Sequence, residues 1–263
     1  MKKAFSPSAV SFYREVSDEK IDLSLIIPAY NEERRLPNTL ESVKKYFQQQ
    51  SYRNEVIVVD DGSSDRTSQI VKDFQKDQAR LGLISLPENK GKGYAVRIGI
   101  LHSRGRFVIF TDADLSTPIK EVEKLWLLLE EGYDVVIGSR RNPDSRIIVP
   151  QSWLRRFMGR TYIWLNRLLG IEDVEDVTCG FKGFRRGAAK QIFQIVKLNG
   201  FSFDSEVLYV AQRKFRLRWI QVPIEWTNYA DSKVHILRET FASFLDLIRI
   251  KLYDLRGFYK KHP

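Results

Sequence analysis

The 263-residue sequence predicts an α/β fold, a mostly parallel central sheet flanked by helices. Two observations carry the prediction. Apolar runs of strand length alternate with segments of helical periodicity over residues 23–138, and strands alternating with helices pair in parallel through crossovers. Polar residues collect directly after those runs, at the carboxyl ends of the strands, where such sheets bind ligands. At 43% hydrophobic and 12% aromatic residues the chain can build a core and is not a disordered segment.

Residues 1–21 show no clear period and read as an arm or a short helix. The run LSLIIP at 23–28 is a strand ended by proline. Leu36, Leu40, Val43 and Phe47 then recur at helical spacing. In EVIVVD at 55–60, four consecutive apolar residues indicate burial on both faces of a parallel sheet. Ser63 or Ser64 is suited to cap a helix running through Val71 and Phe74. Strands over 81–86 and 106–111 bracket a helix over 91–103. Pro118 near its start and Gly132 past its end delimit a helix over 118–131, followed by a strand over 133–138. The latter half is more mixed: a basic helix near 151–169, a Gly-rich turn at 179–183, a strand near 217–224 and an amphipathic helix over 236–263.

Asp112 and Asp114 directly follow the strand at 106–111. In extended backbone, residues i and i+2 point the same way, so both carboxylates can address one hard cation, Mg²⁺ or Mn²⁺, whose remaining ligands are water and phosphate oxygens. Asp60 and Asp61 follow the strand at 55–60. Asp61 is assigned to a ligand, Asp60 is left undecided, and Gly62 permits close backbone approach. The segment NKGKG at 89–93 matches neither the P-loop nor the dinucleotide fingerprint and starts a helix near the ligand or serves as a turn. His102, His235 and His262 have no metal-ligand spacing, and no G-x-S-x-G is present. The single Cys179 excludes a disulfide framework and fits a reducing compartment.

Lys and Arg exceed Asp and Glu by ten, and the excess is local. Residues 140–167 carry seven arginines against one aspartate, and residues 233–263 carry seven basic side chains against three acidic. Such patches suit phosphorylated ligands, an anionic membrane or nucleic acid. No nucleic-acid motif accompanies them, so a nucleic-acid-binding module is the remote alternative and nucleic acid is not an expected partner. No apolar run approaches the roughly twenty residues of a bilayer span.

These motifs in this order (IIPAYNEE at 26–33, VVDDGS at 58–63, NKGKG at 89–93, TDAD at 111–114) resemble the family 2 glycosyltransferases over roughly residues 22–250. Within that family the chain is most similar to the dolichyl- and polyprenyl-phosphate β-glucosyltransferases, through GSR at 138–140, DVTCGFK at 176–182, FDSEVLY at 203–209 and WT at 226–227 leading to DSK at 231–233. Thr227, where the mannosyl branch carries arginine, tilts the resemblance to the glucosyl branch.

The resemblance implies a GT-A (nucleotide-diphospho-sugar transferase) fold. It divides the chain into an arm at 1–21, a catalytic domain at 22–235 and the C-terminal helix at 236–263. The catalytic domain comprises a nucleotide-sugar half at 22–138 and an acceptor half at 139–235. Pro28, Ala29, Tyr30, Glu32, Asp61, Ala113, Ser116 and Lys233 would hold the nucleotide-sugar, with Asp112 and Asp114 on the metal. Arg140, catalytic with the two aspartates, would meet the acceptor phosphate together with Arg155 and Arg156.

The implied reaction is inverting, metal-dependent transfer of one hexose, with UDP-glucose the favoured donor, to dolichyl or polyprenyl phosphate. The enzyme would be peripheral on the cytoplasmic face of a membrane. GDP-mannose as donor, or a soluble transferase with a non-lipid acceptor, are the alternatives. The absence of Q-x-x-R-W, the signature of processive synthases, argues for one sugar per acceptor.

Overall fold

The computed structural model describes residues 10–11, 20–149, 153–227 and 236–259; the side chains described exclude 10–11, 153–157 and 236–241. Its strands are β1 (Val10–Ser11), β2 (Leu23–Ala29), β3 (Asn54–Asp60), β4 (Leu81–Ser85), β5 (Phe107–Phe110), β6 (Val135–Ser139), β7 (Arg146–Val149), β8 (Lys182–Arg185), β9 (Trp219–Pro223) and β10 (Glu225–Thr227). Its helices are α1 (Leu36–Gln48), α2 (Thr67–Gln75), α3 (Lys92–His102), α4 (Val122–Glu130), α5 (Trp153–Leu168), α6 (Arg186–Ile195), α7 (Phe203–Tyr209) and α8 (Ile236–Leu255).

Eight strands form one sheet in the order β1-β4-β3-β2-β5-β8-β6-β9, and β7 pairs with β10 in a separate ribbon. Strands β4, β3, β2 and β5 pair in parallel, as the alternation of strand and helix predicts. The side-chain period of two divides the core between the faces. Ile26, Val59, Val108 and Phe110 enter the cluster under α3, α6 and α7, while Leu25, Ile27, Val58 and Ile109 enter the cluster under α1 and α4. Every residue of β2 is buried, and each large aliphatic side chain so placed contributes about 1.5–3 kcal/mol.

Five expectations need correction. The helix expected over 236–263 ends at Leu255 and is followed by a turn over 256–259. Asp112 and Asp114 do not continue an extended strand: residues 113–114 lie in a turn that Leu115 N–H closes on Asp112 O at 3.2 Å. The Gly-rich segment at 179–183 is not only a turn: Lys182 opens β8, which inserts antiparallel between β5 and β6. A lysine and a glycine in a four-residue strand carry little β-propensity, so only the pairing on both sides makes it a strand. Residues 10–11 of the arm are a strand, antiparallel to β4. Neither Ser63 nor Ser64 caps α2, which starts at Thr67 with its N–H on Asp65 Oδ1 at 2.9 Å. Instead Asn31 N–H donates to Ser63 Oγ at 2.8 Å and Ser64 N–H to Asn31 Oδ1 at 2.9 Å, tying the loops after β2 and β3 together.

Candidate active site

A cleft of about 450 Å³ opens over the carboxyl ends of β2, β3 and β5. It brings together Pro28, Ala29, Tyr30, Glu32, Asp61, Asp112, Ala113 and Asp114 from the sequence prediction. Arg35, Asn89, Gly91, Lys92, Ala95 and Phe201 complete its lining. Lys233 lies outside the described residues, and Arg155 and Arg156 belong to the part of α5 whose side chains are not described.

The two carboxylates after β3 have separate tasks. Asp60 turns away from the cleft, accepting from Ser63 N–H at 3.0 Å and from the Ser68 hydroxyl. Asp61 is buried and accepts the N–H groups of Lys90 and Gly91, each at 2.8 Å, which fixes the 89–91 loop as one wall. Burial pushes its carboxyl above the usual range against the pull of those two bonds. Gly62 has φ of 71°, and a Cβ there would run into the Glu88 backbone.

The Asp112–Asp114 turn is held from three sides. Thr39 of α1 donates its hydroxyl to Ala113 O at 2.6 Å. Asp114 Oδ1 accepts Ser116 N–H at 2.9 Å, and its Oδ2 lies 3.7 Å from Arg35 Nη1. Arg35 in turn grips Glu32 with two bonds of 2.6 and 2.5 Å, so one guanidinium joins the loop after β2 to the loop after β5. Ser116 is buried beside the cleft, its carbonyl accepting Thr227 N–H at 2.8 Å at the end of β10. Asp112 is ion-paired with Lys92 at the start of α3. Burial opposes the Lys92 charge, but Asp112, Asp204 and Asp114 outweigh it and hold its pKa above the ordinary lysine value.

Beneath this turn lies the segment leading into β8. A Cβ on Gly180 would collide with the Asp112 carboxylate, so that carboxylate rests on bare backbone. Lys182 is fully buried and spends its three ammonium hydrogens on Val177 O at 3.0 Å, Cys179 O at 2.5 Å and Asp204 Oδ1 at 2.5 Å. Burial pushes the Asp204 carboxyl up despite Lys182 and Lys92. Asp176 receives Arg140 in a fork, Nε at 2.6 Å and Nη2 at 2.7 Å, and also takes the Arg140 N–H at 3.0 Å. Burial acts against both charges, yet each holds the other ionised: Asp176 lies below the usual carboxylate range and Arg140 above its own.

Among the described residues no group of three or more His, Cys, Asp or Glu side chains could hold a metal by itself. Asp112 and Asp114 are hard oxygen donors, and a lysine ammonium already stands as a cation on Asp112 above the space left by Gly180. Two carboxylates fit Mg²⁺ or Mn²⁺ that draws its other ligands from phosphate and water, not a closed protein cage.

Sequence reasoning missed Arg35, Lys92, Gly180, Lys182 and the carboxylates of Asp176 and Asp204 as members of the site. The Glu32–Arg35 spacing of i to i+3 at a helix start is a readable signal. The others sit in recognised segments, but the side-chain partners of Lys92, Lys182, Asp176 and Asp204 are 20 to 36 residues away, and Gly180 meets Asp112 from further still.

A family profile described as Glycosyl transferase family 2 matches residues 24–193. The dolichyl-phosphate beta-glucosyltransferase of Dictyostelium discoideum is 34% identical over 254 residues, covering 92% of this chain and 77% of that one. The human enzyme of the same name is 33% identical over 257 residues, covering 90% and 77%. Among solved structures, mannosyl-3-phosphoglycerate synthase from Rubrobacter xylanophilus superposes with a TM-score of 0.67 at 16% identity, covering 92% of this chain and 76% of that one. Glucosyl-3-phosphoglycerate synthase from Mycobacterium tuberculosis, solved with Mn²⁺, uridine diphosphate and glucosyl-3-phosphoglycerate, superposes with a TM-score of 0.62 at 19% identity, covering 88% and 79%. The shared architecture is the GT-A fold.

Proposed function

The chain belongs to glycosyl transferase family 2, and on that premise we propose that it transfers one glucose from UDP-glucose to dolichyl or polyprenyl phosphate, with inversion and with Mg²⁺ or Mn²⁺, at the cytoplasmic surface of a membrane. The observation that carries this reading is the convergence of Asp112 and Asp114 with Asp61 and the 28–30 backbone in one cleft at the strand ends. Pro28, Ala29, Tyr30, Glu32, Asp61, Ala113 and Ser116 form the nucleotide-sugar subsite, with Lys233 as a further phosphate contact. Asp112 and Asp114 would hold the metal, which would offset the negative charge that develops on the departing diphosphate.

The acceptor phosphate monoester has a second pKa of about 6, so it is largely a dianion at neutral pH and attacks without a general base. The site's task is then to hold two phosphate groups together against repulsion. Arg140, oriented by Asp176, and the arginines of α5, Arg155 and Arg156, supply that positive field.

A second set of features supports the membrane as the source of the acceptor. Helix α8 buries Leu247 and Ile250 against the core but exposes Phe244, Ile248, Leu252 and Leu255, the last 83% accessible. Trp164 and Leu168 of α5 are exposed as well, and Arg249, Lys251 and Arg256 flank the α8 stripe. Apolar rows rimmed by basic side chains suit an anionic lipid surface. No described helix is long and apolar enough to cross a membrane.

The test is transfer of labelled sugar from UDP-glucose to dolichyl phosphate in detergent with Mn²⁺. Wild type forms lipid-extractable product, and Asp114→Ala lowers the rate at least about a hundredfold. Full activity in Asp114→Ala, product only from GDP-mannose, or product only on a water-soluble phosphate would each overturn the corresponding part of the reading.

A further inference from the structure

The cleft contains a cation that the proposed reaction leaves without a task. Lys92 is the first residue of α3, lines the cleft, and pairs its ammonium with Asp112 Oδ1. Its side chain is 18% exposed, so the pair is only partly screened by water. Asp112 is also one of two carboxylates available to a divalent metal, and Gly180 closes in on its other oxygen. An ammonium and a divalent cation compete for the same lone pairs, and the metal gains the full charge of Asp112 only if Lys92 gives it up. Lysine suits such an exchange: its charge sits on a flexible four-carbon stem and makes no fixed fork. Asp204 and Asp114 also act on Lys92, so an ammonium that leaves Asp112 stays in a negative field.

We propose that Lys92 is the resident counter-cation of Asp112, displaced by the divalent metal and passed to the diphosphate of the bound nucleotide. The inference rests on the proposed function, since it takes the metal and the diphosphate from that reading. Two consequences follow from the exchange. Lys92 opposes metal binding to the nucleotide-free protein. It favours nucleotide binding once the metal is in place, so metal and nucleotide each strengthen the other's binding beyond their direct contact. A lysine that merely stabilises the cleft would weaken both on removal.

The experiment titrates Mn²⁺ by the electron paramagnetic resonance of the free ion, without and with UDP, and UDP by calorimetry at saturating Mn²⁺. In Lys92→Met, Mn²⁺ alone binds about fivefold or more tighter than in wild type, while UDP with Mn²⁺ binds about fivefold or more weaker. Lys92→Gln, which keeps a polar end at this partly exposed position, gives the same pair of opposite signs. Lys92→Arg, which keeps the charge, leaves Mn²⁺ alone as weak as in wild type. Unchanged or weakened Mn²⁺ affinity in both neutral variants, with wild type binding Mn²⁺ and UDP together, overturns the exchange and leaves the proposed function standing. A wild type that binds no Mn²⁺ even with UDP overturns both.

Discussion

At Gly180 the Asp112 carboxylate occupies the space a side chain would need. Gly180→Ala therefore moves the carboxylate and leaves the backbone, because the atoms it meets are the end of a flexible side chain. Under the proposed function Asp112 holds the metal, and a displacement of about 1 Å in such a group costs roughly a hundredfold in kcat/KM. Gly180→Ala is expected to show that loss in the transfer assay with less than about 1 kcal/mol lost in urea denaturation; unchanged activity would contradict the placement of Asp112. The Arg140–Asp176 pair makes a pH-dependent prediction. The folded pKa of Asp176 is depressed below the ordinary value of about 3.9. Its contribution is complete above that value and is lost as pH falls through the folded pKa. Asp176→Asn is expected to lower stability at pH 7 by about 3 kcal/mol, since it leaves Arg140 without its charge partner, and to flatten the acid limb of the stability profile. Denaturation midpoints from pH 7 down to about pH 3 measure both. The places of Asp112, Asp114 and Asp61 in the cleft were legible because they stand at strand ends. Those of Asp176 and Lys182 were not, because a buried ion pair is defined by a partner that the local sequence does not name.

At the scale of elements, α8 and the turn after it are fastened to α7, the helix that carries Asp204. Glu206 is buried and accepts Tyr259 Oη–H at 2.5 Å together with the N–H groups of Lys197 and Leu198. Tyr209 donates to Asp254 at 2.5 Å, and Lys214 pairs with the same carboxylate. Burial pushes the Glu206 carboxyl up, and burial with Glu206 beside it pushes the Tyr259 hydroxyl up in turn. Tyr259→Phe removes one bond to a buried acid and is expected to cost about 1.5–3 kcal/mol in urea denaturation. A loss below about 0.5 kcal/mol would mean that the turn after α8 is not held there. The apolar stripe of α8 was readable as helical periodicity, but periodicity cannot say which face is covered. The structure covers Leu247 and Ile250 and leaves Phe244, Ile248, Leu252 and Leu255 outward, because α5 and α7 reach only one side.

Over the whole molecule the positive charge is concentrated in residues 140–167 and 233–263. The outward apolar side chains of α5 and α8 lie within those same two segments or, for Leu168, directly beside the first. Under the proposed membrane role, the protein is expected to co-sediment with vesicles of phosphatidylcholine and phosphatidylserine at about 0.1 M salt and to detach substantially at about 0.5 M, where charge attraction is screened over a few ångströms. Leu252→Glu with Leu255→Glu is expected to lower binding at least about tenfold, since both lie on the exposed stripe and neither touches the cleft. Equal sedimentation of wild type and the double variant would remove this face from the membrane reading.

The sequence by itself determined the parallel half of the sheet and the position of the cleft. Both follow from local patterns: apolar runs long enough to bury a strand, and carboxylates directly after them. Tertiary structure alone decided that β8 inserts antiparallel between β5 and β6, bringing Gly180 under Asp112 and Asp176 to Arg140. It also decided that Lys92 meets Asp112, twenty residues away. The physical reason is the same in each case. Propensity and periodicity report what a segment can bury, whereas ion pairing and close approach depend on which distant segment the packed sheet brings opposite.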